Sequence, residues 1–238
     1  MKLLFVCAIL LLGVCASAEP LLSQPVSHTD RQIEGWAIRV DDRLLTGADA
    51  ETGGRALKLL SVRLFEITLV VPQPALDKLR AIPIQLDLGY GDLHFMQYHP
   101  SAGWLRDHGY DPHLEKCVHI PEAAQFLSPY ENHRQPCVVL HELAHGYHDK
   151  YLGFDNARID GAFEKFKSGG KYQSVLTVGG SLQEHYALTN AKEFFAEMTE
   201  CYFGTNDFYP FVSGELRRDE PELFGMLEEI WGPLPKRQ

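Results

Sequence analysis

Cysteine is scarce in this chain: five among 238 residues, with only Cys117, Cys137 and Cys201 lying beyond the first twenty positions. Three thiols exclude a disulfide-framed fold and admit at most one internal bridge. Cys117 with Cys137, closing a short loop, is the expected pair; Cys201 is the other available partner, and each also reads as a small buried hydrophobe. Positive charge is short as well. Lys and Arg number 22 against 32 Asp and Glu, a formal net charge of -10, and no basic cluster tracks a phosphate backbone, which argues against nucleic acid as a partner. At long range that charge would steer basic peptides toward the protein. No segment beyond the first twenty residues approaches the length of a membrane span, so stable membrane insertion is not expected. Internal repeats, low-complexity tracts and linkers are missing too, which leaves residues 19–238 as one domain.

What is present begins with an export signal. MKLLFVCAILLLGVCASAEP carries Lys2, an apolar run from Leu3 to Val14, and small residues at Ala16 and Ala18. This is the layout of a secretory signal peptide covering residues 1–18, cleaved before Glu19. Val14 stands where lipid attachment at Cys15 would need a small residue, which speaks against an anchor. The mature protein is expected to be a secreted or periplasmic monomer.

The composition, 45% hydrophobic and 23% charged, is that of a folded globular chain. Trp36, Ile38 and Val40 alternate with polar residues as a half-buried strand does. Leu57, Leu60, Leu64, Ile67 and Val71 recur at steps of three and four on one face of a helix that stops at Pro72. Period two returns at Ile82, Ile84, Leu86 and Leu88, and Leu93 to His99 reads as a further strand. From Gln135 onward the pattern turns helical. The expected class is α+β, an N-terminal mixed sheet with helices followed by a mostly helical lobe.

Residues 141–148 read HELAHGYH. Residues four apart on a helix point the same way, so His141 and His145 can each offer an imidazole nitrogen to one cation at about 2.0 to 2.1 Å. Glu142 lies about 100° round the helix, off the ligand axis but near the metal, where it can take a proton from a metal-bound water. With 11 His in the chain, chance alone supplies only ~0.04 such motifs. A third histidine at the HExxHxxGxxH spacing is lacking: the glycine position holds His148 and the final histidine position holds Tyr151. His148 itself stands two turns above His141, about 10 Å along the axis, too far to share the ion. It reads as a surface histidine or one that supports a ligand.

The remaining third ligand lies in TNAKEFFAEMTE. Glu193 and Glu197 are four apart on one face; the first can reach the metal and the second can hold a ligand imidazole through a hydrogen bond. Read alone, this is an ordinary acidic helix face. Read with HELAH, Glu193 completes the set.

YALTNAKEFFAE, Tyr186 to Glu197, together with HELAH, closely resembles the catalytic domain of anthrax lethal factor and its relatives, including the bacterial Pro-Pro endopeptidases. The resemblance covers roughly Val138 to Tyr202. It implies a zincin-like fold of the gluzincin type, one zinc held by His141, His145 and Glu193, Glu142 as general base, and Tyr186 as a hydroxyl donor to the developing oxyanion. Lethal factor's targeting and recognition parts have no room here, so its substrates do not carry over. The expected activity is hydrolysis of peptide or protein substrates by a zinc-bound water; the alternative is a catalytically inactive, zinc-containing extracellular binding protein. Tyr98, His99, Trp104 and His119 are either a substrate groove or core and loop packing, and the strand CVHI offers a possible edge for an extended peptide.

Overall fold

The structure, a computed structural model, describes residues 24–235; the expected signal peptide lies outside them. Two strands open the fold, β1 (His28–Ile33) and β2 (Trp36–Asp41), paired antiparallel. Helices α1 (Ala50–Val70) and α2 (Gln73–Arg80) lead to β3 (Ile84–Leu86) and β4 (Gln97–Tyr98). After α3 (Ala102–Asp107) come β5 (Val118–Ile120), α4 (Ala123–Phe126), α5 (Pro129–Arg134), α6 (Val138–Tyr147) and α7 (Ala157–Ser168). A small hairpin, β6 (Val175–Leu176) and β7 (Leu182–Gln183), precedes α8 (Ala191–Phe203), α9 (Ser213–Asp219) and α10 (Pro221–Trp231). The class is α+β, with a mixed N-terminal sheet followed by helices.

The sheet runs in the order β1-β2-β3-β5-β4, parallel from β2 through β3 to β5 and antiparallel at both margins. The CVHI segment is therefore not an edge: β5 pairs with β3 on one side and β4 on the other. The margin is β4. The expected strand from Leu93 to His99 shrinks to Gln97–Tyr98 because its first half turns back on itself, the Leu93 N–H donating to the Tyr90 carbonyl and the Gln97 side-chain Nε2 to the Phe95 carbonyl.

Helix α1 buries Gly53, Ala56, Leu60, Leu64 and Ile67, the three-and-four spacing that an amphipathic helix requires. It ends where expected, since Pro72 has no N–H with which to continue the ladder. One continuous apolar cluster joins Trp36 and Leu60 to Leu143, Phe195 and Trp231, binding sheet to C-terminal helices. Within it, α6 is buried along nearly its whole length and packs on α8. Gly146 permits that burial: a Cβ there would stand 2.8 Å from Ile82 Cδ1 and 3.1 Å from a Tyr98 ring carbon.

The expected Cys117–Cys137 bridge does not form, and all three cysteines of the described residues are thiols. Cys117 belongs to a separate small cluster with Tyr90, Leu105 and Leu114. Cys137 faces the far end of α8, where its Sγ accepts from the Thr205 N–H at 3.4 Å.

Candidate metal centre

Two helices bring one triangle of donor atoms together. Helix α6 contributes His141 and His145, whose Nε2 atoms are 3.1 Å apart. Helix α8 contributes Glu193 from its first turn, with Oε2 3.2 Å from each imidazole Nε2. Asn190 fixes that turn as its cap, accepting from the N–H groups of Lys192 and Glu193 at 2.9 and 3.1 Å, the ordinary role of Asn at a helix start. Three atoms within 3.2 Å of one another cannot all be joined by linear hydrogen bonds. A tetrahedral ion held at about 2.0 to 2.1 Å spaces its donors ~3.3 Å apart, so this donor set fits such a metal.

The opposite nitrogen of His141 is occupied. Its Nδ1 lies 2.6 Å from Glu200 Oε1 and 3.6 Å from Glu197 Oε1. The ring thus donates Nδ1–H to a carboxylate and keeps the Nε2 lone pair for the triangle. His141, Glu197 and Glu200 also cluster tightly enough to be counted as a second metal group, but that group uses the other face of the same imidazole and reads as its support. Glu197, expected to hold the ring, is the more distant of the two; Glu200 is the residue the sequence reading passed over. Its signal was present, since Glu193, Glu197 and Glu200 follow the spacing of one helix face.

Electrostatics follow from burial. Burial disfavours a charged His141, yet the carboxylates of Glu193 and Glu200 outweigh it and raise its pKa well above the ordinary value. For Glu193 burial works upward, but the two imidazoles hold its carboxyl well below the usual range. Burial, with the charges of Glu200 and Asp207, raises Glu197 well above its ordinary value.

Glu142 faces the same cleft and is 8% exposed. Its Oε2 accepts from the Tyr98 backbone N–H at 2.7 Å, tying the margin strand β4 to α6. The Tyr98 hydroxyl donates to Asp149, just past the end of α6, at 2.8 Å, and Lys116 pairs with the same carboxylate at 2.5 Å. Burial raises the Glu142 pKa, opposed by His145 and His141.

Tyr186 lines the cleft from a short turn, Tyr186–Leu188, capped by His185 Nδ1 accepting the Ala187 N–H at 3.1 Å. Its side chain is about half exposed, and its hydroxyl has no hydrogen-bond partner within the described residues. Burial of the ring base and the Glu193 charge raise its pKa, which keeps the hydroxyl a donor. The cleft that all these residues line has a volume of about 640 Å³.

Of the four groove candidates only Tyr98 lines the cleft. His99 and His119 are buried and bonded to each other at 3.2 Å, with His119 continuing to Asp87 at 2.8 Å. Trp104 stacks on His108 away from the cleft. His148 is neither at the surface nor bonded to a ligand. It is fully buried between Phe154 and Phe195 with both ring nitrogens unpaired, because α6 continues as a π-helical turn over His148–Leu152 that lays the ring against the α8 aromatic Phe195. Comparisons with protein-family models, with curated proteins and with solved structures returned no match.

Proposed function

We propose that this chain is an exported, zinc-dependent metalloendopeptidase with a zincin-like, gluzincin-type centre. The observation that carries the reading is the triangle of His141, His145 and Glu193 with Glu142 beside it in an open cleft. Two imidazoles and one carboxylate are a donor set suited to catalytic zinc, since a structural zinc takes four protein ligands and has no use for a glutamate placed like Glu142. Zinc bound there supplies Lewis acidity to the reaction.

The protein's own groups do the rest. Glu142 receives the proton of the attacking water and returns it to the leaving amine. The Tyr98 N–H holds one of its oxygens and leaves the other facing the cleft. Tyr186, with a free hydroxyl at the cleft wall, donates to the carbonyl oxygen as negative charge gathers on it. Export follows from the arrangement of Lys2, the apolar run and Ala18 in the sequence.

Metal content and hydrolysis together test this reading. The purified protein is expected to carry one zinc per chain, to lose most of it on replacing His141, His145 or Glu193 with alanine, and to cleave a mixed peptide library in a chelator-sensitive manner. A Glu193→Ala protein that retains full zinc affinity would overturn the ligand set.

A further inference from the structure

Lys192 breaks a local rule. Exposed to solvent, it occupies the first turn of α8, next to Glu193, where the helix dipole disfavours a cation, and it lines the same cleft as the metal triangle. Its ammonium rests 4.3 Å from the centre of the Phe154 ring, which also lines the cleft. Among the described residues it makes no ion pair with a carboxylate. The other cation of the cleft wall, Arg134, is neutralised by Glu131 at 2.9 Å. A divalent ion on Glu193 would add further repulsion. Violations of this kind concentrate where a ligand compensates them.

Resting on the peptidase reading, we propose that Lys192 is a specificity residue that receives a carboxylate carried by the peptide substrate beside the scissile bond. An anion there offsets both the dipole and the metal, and Phe154 holds the ammonium in place through the attraction of its ring face for a cation. The protein's net charge of -10 repels acidic peptides at long range, so accepting one calls for a cation built into the cleft. The carboxylate belongs either to an Asp or Glu side chain or to a free C-terminus.

The test uses the zinc-loaded full chain on paired peptide libraries, N-acetylated throughout, with C-termini either free or amidated. We expect wild-type protein to favour Asp or Glu over Asn or Gln at one subsite, and Lys192→Glu to reverse that ratio of kcat/KM by roughly 5- to 30-fold toward Lys and Arg. Preference that survives amidation assigns the side chain as the source; preference lost on amidation assigns the C-terminus. A wild-type enzyme indifferent to charge, or a ratio unmoved by Lys192→Glu, overturns the proposal. Calorimetric titration of zinc-loaded Glu142→Gln protein with the same acidic and neutral peptides decides it without turnover: equal affinities refute the role of Lys192. A protein that hydrolyses no peptide refutes the peptidase reading alone, and the titration still stands.

Discussion

His141 Nδ1 and Glu200 Oε1 lie 2.6 Å apart across the α6–α8 interface, both side chains buried. That contact fixes the tautomer and the rotation of the ring whose other nitrogen faces the metal triangle. Replacing Glu200 with glutamine keeps the size but weakens the acceptor, and is expected to lower metal affinity about 10- to 100-fold. Glu197→Gln should cost less, since the Glu197 carboxylate lies 3.6 Å from the same nitrogen. Competition titrations with a calibrated chelator rank the two; a larger loss for Glu197 would reverse the assignment.

Glu142→Gln should preserve metal content, because the side chain is not a ligand, and should preserve the fold, because an amide oxygen still accepts from the Tyr98 N–H. Hydrolysis should fall nearly to the background. Zinc analysis and peptide turnover on the same preparation check both halves, and substantial remaining turnover rules out Glu142 as the base.

Tyr186→Phe removes one hydroxyl and leaves the ring in its turn. We expect kcat to fall on the order of 10- to 1000-fold with KM little changed. Zinc content and thermal midpoint should hold, since the hydroxyl bonds to no other group of the described residues. An unchanged kcat would leave the tyrosine a packing residue.

Three buried histidines set the response to acid. Burial lowers the pKa of His148 to about 4, with His145 adding to it. It lowers His99 to about 3, helped by His119, and His185 to about 3. Their ordinary value is 6.5, so between pH 6.5 and the folded values the unfolded chain binds protons that the folded chain refuses. Stability therefore falls as pH drops through this window and levels off below it. His148 alone accounts for up to roughly 3 kcal/mol. Denaturant unfolding in the presence of a chelator, from pH 7 to pH 4, should show this slope. His148→Leu should flatten it and raise stability at neutral pH, since both ring nitrogens are unpaired; an unchanged slope means that other groups carry the acid response.

Much of the fold was legible in the sequence because it rests on short-range periodicity. The face of Leu60, Leu64 and Ile67, the stop at Pro72, the alternation of Trp36, Ile38 and Val40, and the helices around HELAH and EFFAE all follow from local spacing, which side-chain burial enforces residue by residue. The pair His141 and His145 is of the same kind, set by one helical turn within ten residues. Strand order is not. That β5 is internal and β4 marginal depends on which strands meet after long connections, and no local pattern encodes that pairing.

By itself, then, the sequence determined the elements and the donor types: two imidazoles and a run of carboxylates on two amphipathic helices. Only the tertiary structure decided which carboxylate does what, because Glu193, Glu197 and Glu200 share one helix face and are told apart by the depth at which α8 lies against α6. The same packing put His148 in the core, left Cys117 and Cys137 in different clusters as free thiols, and turned the Tyr98 N–H toward Glu142. Each of these outcomes depends on residues far apart in the chain, and is decided by how the whole interior closes.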